Sequence, residues 1–167
     1  MGFVKGFIKL KRPVVDSASA TGLFVYPYAS KGGLLNMNQV FLYTDGSCKG
    51  NPGPGGYAAI LQSGAHEKTL TGSEAQATNN RMELQAVIAG LAALKRRCQV
   101  TVVTDSQYVA TILNGGKARA NRDLMQQVRA LAAGHHLRVQ LVAGHSGHAL
   151  NERCDALAQA AARQLVA

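Results

Sequence analysis

The chain has 167 residues, enough for one domain with a proper hydrophobic core and too few for two ordinary domains. It carries 18 Lys and Arg against 9 Asp and Glu, and this net charge of +9 favours a polyanionic partner, of which nucleic acid is the commonest. A membrane surface is the competing partner, but no apolar run approaches the roughly 18 residues that a spanning helix needs. We therefore predict a protein without a membrane segment.

The cysteines and the N-terminus both favour the cytoplasm. Cys48, Cys98 and Cys154 are odd in number and widely spaced, which makes a poor disulfide framework and predicts free thiols in a reducing compartment. The opening sequence MGFVKGFIKLKRPVVD interrupts its apolar residues with cations and offers no continuous apolar stretch for a secretory signal, so we expect no export. We predict a cytoplasmic monomer.

The composition of the chain changes near Met37. Residues 1–37 are rich in Gly, Ser and scattered aromatics without a sustained period, whereas strand and helix patterns follow one another closely in residues 38–167. We interpret the first part as an N-terminal extension and the second as a single catalytic domain. Met37 is also an alternative translation start.

The predicted elements follow one another in chain order. Strands VFLYTD, YAAILQS and EKTLTG, separated by Gly and Pro, predict an antiparallel meander. They are followed by a helix over about 81–97, strand QVTVVTD, helices over 106–113 and 123–133, strand LRVQLVA and a final helix over 151–166. This order predicts an α/β protein with helices packed on a mixed sheet.

Four of the nine acids fall at the ends of predicted elements, and each has an ordinary structural explanation. Asp45, followed by glycine, fits a tight hairpin turn. Glu83 fits a capping box, Asp105 fits a helix cap, and Asp155 fits the first turn of a helix, where its charge suits the dipole. These explanations stay open at this point.

The four acids together favour a metal site. Asp45 and Asp105 each close an apolar strand, so we expect both carboxylates at the edge of the sheet where α/β proteins bind ligands. Two neighbouring carboxylates repel each other, and a divalent cation removes that cost. Oxygen ligands without cysteine pairs favour magnesium or manganese. In a basic protein this predicts phosphoryl transfer on nucleic acid.

The sequence strings are more specific than these patterns. YTDGSCKGNPGPGGYAAIL, TNNRMELQAVIAGLAALK, VTDSQYV and GHSGHALNERCDALA resemble, in this order, the bacterial type 1 ribonuclease H family. The resemblance extends from Gln39 to the C-terminus. It implies a ribonuclease H-like α/β fold with a mixed five-stranded sheet and helices on both faces. It also implies an endonuclease that hydrolyses the RNA strand of RNA/DNA hybrids and leaves 5′-phosphate and 3′-hydroxyl ends.

The resemblance implies roles for individual residues. The metal-binding acids of the family match Asp45, Glu83, Asp105 and Asp155, which would hold two Mg²⁺ ions, with Mn²⁺ as an alternative. His145, the first histidine of GHSGH, matches a mobile histidine that assists proton transfer or product release. A structural zinc held by His145, His148 and Cys154 is the alternative explanation of this loop, but a fourth ligand is missing.

The resemblance also implies a set of substrate-binding residues. A strip that reads the 2′-hydroxyl of RNA, together with a pocket for a DNA-strand phosphate, matches Gly46, Ser47, Cys48, Asn51, Thr78, Asn79, Asn80 and Gln107. Cys48 is equally explained as a buried, inert thiol.

The chain departs from the family in one segment. Well-studied members insert a basic handle with tryptophans after the TDSQYV motif, whereas this chain has only VATILNGGKARANR there and no Trp at all. The N-terminal extension, in which aromatics are interleaved with cations, could supply the missing substrate contacts, or it could be an inert leader. Another nuclease of the ribonuclease H-like superfamily and a hybrid-binding module without catalysis are the alternative functions.

Overall fold

The computed structural model describes residues 24–25, 37–144 and 147–166. These residues form six strands and four helices. The strands are β1 (Phe24–Val25), β2 (Gln39–Cys48), β3 (Gly53–Ser63), β4 (His66–Ala77), β5 (Gln99–Thr104) and β6 (His136–Leu141), and the helices are α1 (Asn79–Ala92), α2 (Gln107–Leu113), α3 (Arg122–Ala132) and α4 (Ala149–Arg163).

The strands form one mixed sheet in the order β1-β6-β5-β2-β3-β4. Strands β2, β3 and β4 are the predicted antiparallel meander, and β5 and β6 extend the sheet in parallel on the other side of β2. This confirms the mixed five-stranded sheet. A sixth strand of two residues, β1, pairs antiparallel with β6 and was not predicted. The proposed domain boundary at residue 37 stays a prediction.

Helices cover both faces of the sheet, as predicted, because neighbouring residues of each strand point to opposite faces. Leu42 belongs to the larger core cluster, which also contains residues of α1, α2 and α3. Tyr43, the next residue, belongs to a smaller cluster with Cys154 and Ala158 of α4.

No helix in the described part of the chain combines the length and the apolar character needed to cross a membrane.

Strand β2 is longer than the sequence predicted. Asp45 pairs with Ala58 inside the strand, and the pairing continues to Cys48. The hairpin-turn explanation of Asp45 is therefore wrong, and so is its place at the end of the strand. The glycines in this region permit close packing rather than turns: a Cβ on Gly56 would overlap the backbone of α4 at Ala158 and Ala162.

The ends of two helices also differ from prediction. Helix α1 begins after Thr78, whose hydroxyl accepts a hydrogen bond from the Arg81 amide, so Glu83 lies beyond the position that a capping box requires. The helix ends at Ala92 rather than Arg97, since the chain must turn before β5 begins. Helix α4 begins at Ala149, which places Asp155 in its second turn and removes the dipole explanation.

Candidate active site

Three of the predicted carboxylates meet at one edge of the sheet. Strands β2 and β5 are parallel neighbours in which Tyr43 pairs with Val103, so Asp45 and Asp105, each two residues further on, lie at the same level. Glu83 reaches the same place from α1. One oxygen from each of the three carboxylates lies within 4.8 Å of the others. The prediction that acids of adjacent strands lie close together is confirmed.

Glu83 reaches Asp45 because α1 packs directly against β2 at a glycine. A Cβ on Gly46 would overlap the backbone of Met82 and Glu83, so any larger residue there would push the helix away. The Gly46 amide also donates a hydrogen bond to Asp45 Oδ1 at 2.9 Å, which orients that carboxylate. Asp45 and Gly46 therefore belong to the active site and do not form a turn.

Asp155 supplies a fourth carboxylate from α4, on the opposite side of the sheet from α1. It lines the same cleft, of about 270 Å³, as the other three acids. Its two oxygens accept hydrogen bonds from Gln159 Nε2, one turn further along the helix, at 2.9 Å and 3.0 Å. The cleft thus receives acids from β2, α1, α4 and the end of β5.

Burial and neighbouring negative charge raise the pKa of two of these carboxyl groups, Asp45 and Glu83. Burial, followed by the negative charge of Asp105, raises the pKa of Asp45 to about 7. Burial and the charge of Asp45 raise the pKa of Glu83 well above its usual value. Asp45 and Glu83 therefore bind protons more tightly than ordinary carboxylates do, unless a bound cation displaces those protons.

The arrangement fits a hard divalent cation. Glu83 Oε2 is buried and has no hydrogen-bond partner among the described residues. An unpaired buried carboxylate oxygen is costly, and a cation in the cleft would satisfy it. The ligand set consists of oxygens alone, which favours magnesium or manganese over zinc.

The comparisons with known proteins identify the family of this chain. The family model described as RNase H matches residues 37–163. The chain belongs to the ribonuclease H family. It is 52% identical to a ribonuclease HI of Neisseria meningitidis serogroup A over 143 residues, which cover 77% of this chain and 99% of the relative.

Solved structures of ribonucleases H share the fold. RNase H1 from the halophilic archaeon Halobacterium salinarum aligns with a TM-score of 0.63 and 32% identity, covering 75% of this chain and 98% of that one. LC11-RNase H1, solved in complex with an RNA/DNA hybrid, aligns with a TM-score of 0.65 and 22% identity, covering 77% of this chain and 99% of that one. As a ribonuclease H, the protein is an endonuclease of RNA/DNA hybrids.

Three of the residues expected to bind substrate line the cleft of this ribonuclease H. They are Gly46, Ser47 and Asn79. Asn51 lies next to them, since its Oδ1 accepts a hydrogen bond from the Asn79 amide at 3.2 Å. That contact fixes the connection between β2 and β3 against the start of α1.

The other four expected residues do not line the cleft. Thr78 caps α1, and Asn80 and Gln107 are exposed in the first turns of α1 and α2. The Cys48 side chain is partly exposed, and its sulfur would contact a Cβ added at Gly55. The burial assumed in the explanation of Cys48 as a buried, inert thiol is therefore wrong. Cys48 forms no disulfide among the described residues.

His145 lies outside the described residues. Gly144, which precedes it, lies beside the active site: a Cβ added to Gly144 would be 3.0 Å from Asp105 Oδ2. The alternative of a zinc site loses its sulfur ligand, because the buried Cys154 thiol donates to the backbone oxygens of Tyr43 and Ala58. Among the described residues, the potential metal cluster consists of carboxylates.

Two residues that line the cleft were not predicted from the sequence. Asn151 and Glu152 belong to the first turn of α4. Asn151 precedes Asp155 by four residues, so both lie on the same helix face. That spacing in NERCD was a usable signal for Asn151.

Proposed function

We propose that Asp45, Glu83, Asp105 and Asp155 hold two magnesium ions and that the site cuts the RNA strand of a hybrid into products with 5′-phosphate and 3′-hydroxyl ends. Manganese is the alternative ion. The convergence of Asp45, Glu83 and Asp105 within 4.8 Å is the observation that carries this proposal. A dense set of carboxylates on a protein of charge +9 is suited to a cation that itself binds phosphate.

Two bound divalent ions would activate a water for attack and stabilise the departing 3′ oxygen. The protein's own contribution is orientation. The Gly46 amide holds Asp45, and Gln159 holds Asp155, so both carboxylates are fixed before a cation arrives. Such preorganisation lowers the cost of assembling the charged site.

We further propose that the strip from Gly46 to Cys48, with Asn51, Thr78 to Asn80 and Gln107, binds the hybrid. Backbone amides and short polar side chains can recognise the 2′-hydroxyl, which both donates and accepts hydrogen bonds. Ser47 and Asn79 support this role because they border the carboxylates directly. LC11-RNase H1, a protein of the same fold bound to an RNA/DNA hybrid, also supports it.

We assign His145 to proton transfer or product release at the metal site. Its neighbour Gly144 lies beside Asp105 of the cleft, which supports this assignment. A histidine can exchange protons near neutral pH, as such a role requires. We also propose that the enzyme works as a cytoplasmic monomer, which fractionation and light scattering would test.

The decisive experiment uses one labelled sequence in three forms: RNA/DNA hybrid, single-stranded RNA and duplex DNA. We expect cleavage of the RNA strand in the hybrid alone, requiring Mg²⁺ or Mn²⁺ and abolished by EDTA, with 5′-phosphate and 3′-hydroxyl ends. Binding of the hybrid without cleavage would instead identify a binding module. Cleavage of duplex DNA would identify a different nuclease of the superfamily.

A further inference from the structure

Asn151 is a buried amide at the margin of the carboxylate cleft. Its relative exposure is 2%, and its Oδ1 has no hydrogen-bond partner within the described structure. It lines the same cleft as the four acids and lies one helical turn before Asp155 on the same face of α4. No role was predicted for it from the sequence.

An unpartnered buried carbonyl lowers stability. Leaving such an acceptor without a donor carries the full desolvation penalty of the oxygen, whereas an apolar side chain of the same shape avoids that penalty. Leucine has nearly the size and branching of asparagine. The amide is therefore unfavourable for the folded protein alone, and a donor that enters with a ligand would compensate for it.

The surroundings restrict what that donor can be. The charged side chains that line the cleft are carboxylates, which accept hydrogen bonds and donate none when ionised. A divalent cation such as magnesium retains several of its waters when it binds a protein, and each water has O–H donors. Water on the cation is thus a suitable partner for the Asn151 oxygen.

We propose that Asn151 is a metal-site residue, whose Oδ1 accepts a hydrogen bond from water on the divalent cation held by Asp155. This inference rests on the proposed metal site. Replacing a residue that hydrogen-bonds to the ligands of a metal commonly weakens the affinity of the protein for that metal by 10- to 100-fold. We expect an effect of about that size.

The test measures Mg²⁺ affinity of the free protein, by NMR titration with MgCl₂, together with the melting temperature without metal. Asn151→Leu removes the acceptor, and Asn151→Asp keeps an oxygen acceptor in the same place. Asn114→Leu is the matched control, because Asn114 Oδ1 is also buried without a partner but lies at the end of α2, outside the cleft.

We expect Asn151→Leu to weaken Mg²⁺ binding by about 10-fold or more while its metal-free melting temperature stays equal or rises. Asn151→Asp should retain or increase the affinity, and Asn114→Leu should leave it unchanged. Should Asn151→Leu not fold, Asn151→Ala takes its place.

Unchanged Mg²⁺ affinity in Asn151→Leu would overturn the inference. So would an equal loss of affinity in Asn151→Leu and Asn151→Asp, because that would assign the effect to packing of α4 rather than to the acceptor oxygen. Absence of saturable binding in the folded wild-type protein would contradict the metal site itself. The failure of the proposed function is thereby distinguished from the failure of this inference.

Discussion

Gln159 donates its side-chain amide to both carboxylate oxygens of Asp155, at 2.9 Å and 3.0 Å. Its own Oε1 accepts a hydrogen bond from Arg163 Nη2 at 3.2 Å. These hydrogen bonds connect side chains on successive turns of α4, from the exposed Arg163 to Asp155 in the cleft. They hold Asp155 in one orientation, which makes Gln159 a positioning residue.

The first prediction concerns Gln159→Leu, which removes both hydrogen bonds and leaves the helix intact. We expect kcat on the hybrid to fall by about 10-fold and Mg²⁺ affinity to fall with it, since Asp155 loses its orientation. KM for the hybrid should hardly change. Gln126→Leu, on the exposed face of α3, is the control, and equal kinetics in the two variants would exclude the positioning role.

The second prediction concerns Asp45→Asn. Cleavage with magnesium should be abolished, because a central carboxylate of the cluster is removed. The fold should be kept, and the metal-free protein should become more stable at neutral pH, since one of several repelling charges is removed. Near-normal activity with magnesium would refute the assignment of the site.

The stability difference between Asp45→Asn and wild type should depend on pH. The pKa of Asp45 is raised in the folded state to about 7, so the folded protein binds this proton more tightly than the unfolded chain does. The metal-free wild type therefore loses stability as pH rises from about 4 to about 7. At pH 8 the variant should be more stable by roughly 2 to 4 kcal/mol, and near pH 4 the difference should vanish. Urea unfolding in EDTA across this range measures it.

The third prediction concerns His145→Ala. If His145 assists proton movement or product release, turnover should fall by about 100-fold or somewhat less without disappearing. Mg²⁺ affinity in the absence of hybrid should stay the same, because the proposed ligands are carboxylates. Complete loss of activity together with loss of metal binding would make His145 a ligand instead. His148→Ala is the comparison, since His148 lies at the start of α4 against the Tyr43 ring.

The fourth prediction concerns the N-terminal extension. Deleting residues 1–36 removes five basic residues and one acid, and none of the proposed metal ligands. If the extension binds phosphates, KM for the hybrid should rise and its salt dependence should become shallower, by about 0.9 log units for each phosphate that the shortened protein no longer neutralises. kcat should stay nearly constant. KM measured at several salt concentrations gives the answer, and equal values and slopes would show that the extension is passive in substrate binding.

The deletion has one structural consequence to control for. It removes β1, which pairs with β6 at Arg138 and Val139, and so leaves the edge of β6 uncovered. A second deletion, of residues 1–23, keeps Phe24 and Val25 and still removes four of the five cations. A KM effect shared by both deletions belongs to the cations rather than to the edge strand.

The sequence by itself determined the types and order of the elements from β2 to α4. Alternation of apolar residues reports strands, and a period near 3.6 reports helices, because each pattern records locally which face of an element is buried. The same sequence identified Asp45, Glu83, Asp105 and Asp155 as a set. Asp45 and Asp105 stand out because each follows an apolar strand, and the resemblance to the ribonuclease H family joined Glu83 and Asp155 to them.

Only the tertiary structure decided how these residues meet. That Asp45 lies inside β2, that Gly46 admits the backbone of α1, and that Asn151 is buried at the cleft are consequences of strand register and helix packing. These contacts join segments far apart in the chain, and their distances depend on packing that involves both partners at once. The spacing of apolar residues along the sequence indicates which residues are buried, but it does not indicate which distant residues they contact. For that reason the acids were recognisable from the sequence, while the burial of Asn151 beside them, to which only its spacing from Asp155 pointed, became visible in the fold.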